Sequence, residues 1–458
     1  MKKKEWMIAG VASGSGKTTL TLGILRALKN RGIPVAPFKA GPDYIDPMFH
    51  RLASGQPSTN LAGWLLSESD LMELYRKRGD AATVKVIEGV MGYFDGHHAE
   101  TIEGSSAALA SILNVGVIIV FDASSMALTA AAIISGLASF HAPTQIRGVI
   151  FNQIKTEGHY LLLKSAVEQH TNIKCYGYLK PDASVIMESR HLGLVQAAED
   201  QTIAWKIEQM AKMVEETVDL DGLLASSSFD AVDYFDDMTY DGEGMHWTRS
   251  LEATNMPLRV AIAKDEAFSF YYDENLALLE KAGVQLIPFS PLKDIQLPDT
   301  INGVYLGGGY PEVFAEILSK NVDMRTSIKR AAQEGMPIYA ECGGLMFLMS
   351  AIEDLGGETY EMVGVFDGVA KMTDRLQRFG HVTACFQNQF SYRGHEFHHS
   401  IVTRCTAPTV LSVSKGQRTW ECGFAFKNVI ATYVHAHFFA SQDWFKYLIN
   451  FWTRGKSD

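Results

Sequence analysis

Residues 6–19 read Trp6-Met7-Ile8-Ala9-Gly10-Val11-Ala12-Ser13-Gly14-Ser15-Gly16-Lys17-Thr18-Thr19. An apolar run of strand character, Trp6–Gly10, breaks into small residues, and helix-forming sequence follows from Thr18 to Asn30. Small residues let backbone N–H groups close around a phosphate, and the first turn of the helix adds its positive dipole end. Lys17 is placed to reach the β- and γ-phosphates of a nucleotide, and the Thr18 hydroxyl to ligate Mg²⁺. The frame is Gly10-x5-Gly16-Lys17-Thr18, one residue longer than the usual G-x4-G-K-[ST], because Val11 stands where the first glycine belongs. Ser13, Gly14, Ser15, Gly16, Lys17, Thr18 and Thr19 are therefore read as nucleotide contacts. A plain glycine turn has no use for the Lys-Thr-Thr that ends this loop.

Working outward, apolar runs at Val35–Lys39, Val84–Glu88, Val117–Asp122, Gly148–Asn152 and Tyr176–Leu179 alternate with helical stretches such as Ser105–Leu113 and Ala127–Phe140. Continuous apolar strands joined by helices predict a mostly parallel sheet covered on both faces. Ligands of such sheets sit at the carboxyl ends of the strands. Glu88 stands at one such end, before Gly89-Val90-Met91-Gly92-Tyr93-Phe94-Asp95-Gly96, and Lys39-Ala40-Gly41-Pro42-Asp43-Tyr44-Ile45-Asp46-Pro47 follows another. Glu88 and Asp46, with Thr18, are the metal candidates; Asp43 and Asp95 are weaker ones for metal or substrate.

The chain has 458 residues, 47% of them hydrophobic and 20% charged, with a net charge of −11. That length predicts about two to four domains, and that composition excludes disorder, collagen and coiled coil. No apolar run is long enough to span a membrane, and no signal-peptide core follows the basic N-terminus. Five cysteines without a C-x-x-C pair argue against a disulfide framework and fit a reducing cytoplasm. The acidic balance argues against nucleic acid as a partner. After Ser226 the sequence turns polar and acidic as far as about Met256, then a second α/β series starts at Arg259–Ala263, Val284–Phe289, Val304–Leu306 and Pro337–Ala340. The division expected is 1–225, a linker at 226–256, and 257–458.

In the second series, Pro337-Ile338-Tyr339-Ala340-Glu341-Cys342-Gly343-Gly344-Leu345 reads as strand, sharp turn and helix, the thiol counterpart of the G-x-S-x-G elbow. The helix N-terminus is expected to lower the thiol pKa. The base is sought in Val429–Phe438, a strand-like run bearing His435 and His437 on one face, so spacing does not choose between them. Backbone N–H groups of Gly308, Gly309 and Gly343 are the oxyanion-hole candidates.

Taken together, the phosphate loop, Lys39–Pro47, Glu88–Gly92, Ser189-Arg190-His191-Leu192-Gly193-Leu194, Asp265–Tyr272, Leu306–Glu312, Ala340–Gly344 and Arg393-Gly394-His395-Glu396-Phe397 closely resemble the cobyrinic acid a,c-diamide synthase family over nearly the whole chain. The resemblance implies an α/β fold of two domains: an N-terminal dethiobiotin-synthetase-like ATP domain and a C-terminal class I glutaminase-like domain. It maps the nucleophile to Cys342 and the activating histidine to His435. Other glutaminase branches carry a glutamate two residues after that histidine; here the residue is His437. What orients the base is thus left unassigned.

The activity so implied uses ATP, Mg²⁺ and L-glutamine to amidate the a and c carboxylates of cobyrinate through acyl phosphates. Ammonia must reach the acyl phosphate before it is protonated, so a closed route between the sites is expected. For an anionic macrocycle the candidate contacts are Lys39, Lys180, Arg190 and His191, together with Asp43 and Asp95. Hydrogenobyrinate or nickel-sirohydrochlorin amidation, cobyric acid synthesis, and a P-loop switch ATPase with a docking domain are the alternatives. Oligomeric state is left open, a homodimer included.

Overall fold

In a computed structural model of the chain, the described residues are 4–79, 84–97, 99–141, 145–187, 189–190, 193–194, 202–226 and 258–454. The chain divides into two compact units, Met1–Asp241 and Gly242–Asp458. Except for Ser226, which ends the helix Leu220–Ser226, the expected acidic linker lies outside the described residues.

The first unit is built on seven strands: β1 (Lys4–Gly10), β2 (Val35–Ala40), β3 (Thr59–Leu61), β4 (Val84–Gly92), β5 (Gly116–Asp122), β6 (Ile146–Asn152) and β7 (Lys174–Tyr178). They form one parallel sheet in the order β3-β2-β4-β1-β5-β6-β7. Met7, Ile8 and Ala9 of β1 and Val117, Ile119 and Val120 of β5 are fully buried, as strands covered on both faces require. Strand order reverses around β1, whose neighbours are β4 and β5, so the crevice at its carboxyl end is the place for a ligand. Helix α1 (Lys17–Asn30) leaves that crevice, and α2 (Asp46–Ser54) follows β2.

One difference from expectation matters for the site. β4 continues to Gly92, so Glu88 lies within the strand rather than at its end. In the ladder Glu88 stands opposite Ile8 of β1 and Lys39 of β2.

The second unit carries a ten-stranded mixed sheet in the order Val284–Phe289, Leu258–Ala263, Gly303–Leu306, Ile338–Glu341, Val429–Thr432, Arg418–Phe426, Thr409–Lys415, Arg378–Phe386, Phe390–His398, His435–Ala436. The first five are parallel, and the remaining pairings are antiparallel. Trp444 and Trp452 of the helix Gln442–Arg454 are fully buried, with Tyr305 and Tyr339 of the central strands close beside them.

The expected single strand over Val429–Phe438 is overturned. Val429–Thr432 pairs with Ile338–Glu341, then the chain leaves that ladder. His435–Ala436 pairs instead with Phe390–His398, and Phe438–Ala440 is a 3-10 turn. The period-two argument for His435 and His437 therefore does not apply.

Candidate nucleotide and thiol sites

Gly16 caps α1 with φ 100°, and a Cβ there would lie 2.2 Å from the Asn152 amide nitrogen. Only glycine fits both conditions. Asn152, at the end of β6, donates from Nδ2 to the Ser15 carbonyl at 3.1 Å. Ser15 Oγ in turn bonds the Ala12 carbonyl at 2.8 Å and accepts from the Ala12 N–H at 3.0 Å. The loop is thus fixed from inside while Ser13 and Gly14 stay exposed. Thr19 is half-buried in the first turn of α1. The Lys17 ammonium donates to the carbonyls of Met91 at 2.6 Å and Ala12 at 3.3 Å.

Next to the loop is a buried charged cluster. Thr18 Oγ1 donates to Glu88 Oε1 at 2.7 Å, and the same oxygen lies 3.2 Å from Lys39 Nζ. Lys39 also lies 2.5 Å from Asp46 Oδ2, 3.8 Å from Asp43 Oδ2 and 3.3 Å from the Gly89 carbonyl. Burial opposes the Lys39 charge, but Asp46, Glu88 and Asp43 outweigh it and hold the ammonium above its ordinary value. Burial likewise acts to raise Glu88, yet Lys39 and the bond to His50 hold it below the usual carboxylate range. Burial and the neighbouring Lys39 charge lower Lys17, against support from Glu88, Asp46 and Asp95.

Among the described residues no group of three or more His, Cys, Asp or Glu side chains could hold a metal ion. Mg²⁺ at nucleotides is commonly held by one or two carboxylates plus phosphate and water oxygens, and Thr18, Glu88 and Asp46 fit that set. The Lys39 ammonium among these acids indicates that the cluster already calls for a cation.

The structure thus brings Thr18, Lys39, Asp43, Asp46 and Glu88 together. It gives the substrate candidates other partners. Lys39 is 4% exposed and engaged by acids rather than facing a ligand. Asp43 Oδ1 accepts from the N–H groups of Ile45 and Asp46, which start α2. Asp95 Oδ2 accepts from the Gly92 N–H at 3.0 Å and closes a turn. Lys180 forms an exposed ion pair with Glu216. Arg190 lies in a two-residue strand with Ser189, and His191 is outside the described residues.

In the second unit, Cys342 sits between the strand Ile338–Glu341 and the helix Gly343–Leu348 with φ 46°. Positive φ is rare for a residue with a Cβ and marks a turn held by its surroundings. The Cys342 N–H donates to the Thr432 carbonyl at 2.7 Å. Gly308 and Gly309 form a short strand against Phe268–Phe270, and a Cβ on Gly343 would lie 3.0 Å from the Gly309 nitrogen. A Cβ on Gly308 would lie 2.6 Å from His435 Cε1 and 3.4 Å from Nε2. The backbones of Gly308, Gly309 and Gly343 and the ε edge of His435 therefore converge beside the elbow that carries Cys342. His437 turns elsewhere, with Nε2 3.1 Å from Glu274 Oε1.

The thiol differs from expectation. Burial pushes it well above its ordinary value, Glu312, Glu341 and Glu396 add to the shift, and the Gly343 amide offsets it only in part. A helix of six residues does not outweigh burial and those acids. Without substrate, then, burial and the neighbouring acids favour the protonated thiol. Its alkylation by iodoacetamide, followed by peptide mass, is expected to rise about tenfold per pH unit from 7 to 9. A plateau already at neutral pH would contradict this. The same shift contributes stability fully present below the unfolded thiol pKa of about 8.5 and lost as pH rises through that value toward the folded one.

Residues 6–195 match the model of the CobQ/CobB/MinD/ParA nucleotide binding domain, and residues 259–443 that of the CobB/CobQ-like glutamine amidotransferase domain. A cobyrinate a,c-diamide synthase of Caldanaerobacter subterraneus subsp. tengcongensis is 41% identical over 96% of this chain and 96% of its own length. That of Listeria monocytogenes serotype 4b is 43% identical over 94% and 96%. The chain belongs to the cobyrinate a,c-diamide synthase family. Another member, from Salmonella typhimurium, is 39% identical over 94% of this chain and 95% of its own.

Two buried side chains of this family member were not singled out by sequence reasoning. His50 of α2 bridges Glu88 Oε2 at 2.7 Å and Ser58 Oγ at 3.0 Å. Nothing in the pattern of α2 marks it, because its partner is 38 residues away. Glu341 lies against His435, with Oε2 3.4 Å from Nδ1. Its signal was legible: an acid in an otherwise apolar strand, on the same face as Tyr339. Among the described residues, no helix is long and apolar enough to cross a membrane.

Proposed function

We propose that this chain uses ATP and glutamine to convert the a and c carboxylates of cobyrinate to amides. The shared name of relatives matching nearly end to end, at 41% and 43% identity, carries the choice of substrate. The chemistry rests on the two sites.

A carboxylate resists attack by ammonia because the attack adds charge to an anion and must expel oxide. Transfer of the γ-phosphoryl group makes one carboxylate oxygen part of a good leaving group: an O–P bond forms, the bond to the β-phosphate oxygen breaks, and ADP departs. Lys17 meets the phosphates, and Thr18, Glu88 and Asp46 would hold Mg²⁺. When bound, the ion neutralises charge on the transferring group. Lys39 and His50 fix Glu88 from two sides.

In the second unit Cys342 attacks the glutamine amide carbon as His435 takes the thiol proton and passes it to the departing nitrogen. Backbone N–H groups of Gly308, Gly309 and Gly343 face the developing oxyanion. Water then cleaves the thioester to glutamate. A raised thiol pKa makes His435 a true base here rather than the partner of a standing thiolate.

The test is a mass measurement on purified protein with ATP, Mg²⁺, glutamine and either cobyrinate or its a,c-diamide. Gain of two amides on cobyrinate, and none on the diamide, is the expected result. Inert cobyrinate with a reactive diamide would overturn the substrate assignment.

A further inference from the structure

His435 has two ring edges, and proton transfer from Cys342 uses only one. The ε edge faces Gly308, while Nδ1 lies 3.4 Å from Glu341 Oε2. Glu341 immediately precedes the nucleophile and is 1% exposed. Its carboxylate is held on every side. Oε1 accepts from the Tyr339 hydroxyl at 2.6 Å and from the Ala436 N–H at 3.2 Å, and Oε2 accepts from the Tyr305 hydroxyl at 3.2 Å. Tyr339 is itself braced by Trp444 Nε1 at 3.3 Å, and the Tyr305 and Tyr339 rings stack at 5.2 Å. So much hydrogen bonding around one buried acid fixes an acceptor in place. Because Ala436 is one of the donors, the acid also anchors the backbone beside His435. The His395 ring stacks on His435 at 5.0 Å and bonds the Tyr272 hydroxyl at 3.1 Å, which limits the imidazole to a narrow range of tilts.

We infer that Glu341 is the positioning residue of the base: it holds the His435 Nδ1 proton, so that Nε2 is the unprotonated nitrogen that takes the Cys342 proton. This rests on the assignment of Cys342 and His435 under Proposed function. The proton balance follows. Cys342 Sγ–H loses its proton to Nε2, Nδ1–H stays directed at Oε2, and the carboxylate balances the imidazolium until the proton leaves with ammonia. The 3.4 Å separation is longer than a settled hydrogen bond, as catalytic pairs often are before substrate binds. The glutamate that serves this purpose thus comes from the residue before the nucleophile, while the position two after the histidine, His437, is occupied with Glu274.

The test compares Glu341→Gln, Tyr305→Phe, Cys342→Ala and His435→Ala in the full chain. Glu341→Gln is expected to lower the glutamine-dependent kcat about 10²–10⁴-fold at a nearly unchanged KM for glutamine. The acid limb of its pH profile should move to lower pH, because the imidazolium loses its balancing charge. Tyr305→Phe, which removes one donor from the acid and keeps the charge, should move that limb to higher pH. A purely structural acid would give no such opposite shifts. Should Glu341→Gln fail to fold, an unmoved profile in Tyr305→Phe still overturns the inference. A Glu341→Gln enzyme with kcat within a few-fold and an unmoved limb, while Cys342→Ala and His435→Ala are dead, overturns it and leaves the glutaminase reading standing. Activity in all of them would overturn both.

Discussion

Cys342→Ala is expected to remove glutamine-dependent synthesis by at least about a thousandfold, while synthesis from added ammonium salt stays near the wild-type rate. The asymmetry follows from where each chemistry sits. Cys342, His435 and the glycine backbones lie in the unit Gly242–Asp458, whereas the phosphate loop and the Thr18–Glu88–Lys39 cluster lie in Met1–Asp241. Alanine keeps the Cβ and the positive φ of the elbow, so the turn carries the same strain and only the sulfur is lost. Side-by-side rates with glutamine and with ammonium chloride are the measurement. Loss of both in a folded variant would contradict the division of labour.

Lys17→Ala should behave in the opposite way and stop synthesis from either nitrogen source, by about a hundred- to thousandfold in kcat or more. Lys17 sits at the mouth of α1 with its ammonium bonded to two loop carbonyls, a position from which it can turn to a phosphate. Lys39 cannot replace it, since its ammonium is engaged by Asp46 and Glu88. Glutamine hydrolysis by the same variant should persist and serves as the control for folding. Normal synthesis from ammonia in Lys17→Ala would sink the assignment of the loop.

Much of the fold was legible because local pattern and tertiary role agree. Six continuous apolar runs became six of the seven parallel strands, while the short edge strand Thr59–Leu61 has no such run to mark it, and Gly16-Lys17-Thr18 opens α1 where the small residues end. What pattern could not supply were facts of tertiary pairing. Glu88 lies inside a strand rather than at its end because β4 extends along β1 as far as Gly92. His435 and His437 are parted because the chain changes strand partners between Thr432 and His435, a switch that side-chain alternation does not encode. The thiol pKa was misjudged because the helix N-terminus is visible in sequence, whereas the burial and the acids around Cys342 are not. Glu341 has no task that its motif alone shows, since its partners Tyr305 and His435 lie 36 and 94 positions away.

The central claim is that nitrogen freed from glutamine ends on a carboxylate activated by ATP. The direct measurement supplies wild-type protein with cobyrinate, ATP, Mg²⁺ and glutamine labelled with ¹⁵N in its amide. Label in both new amides, with one ADP formed for each, is the result predicted. Unaltered cobyrinate while ADP accumulates and glutamine remains intact would contradict the account.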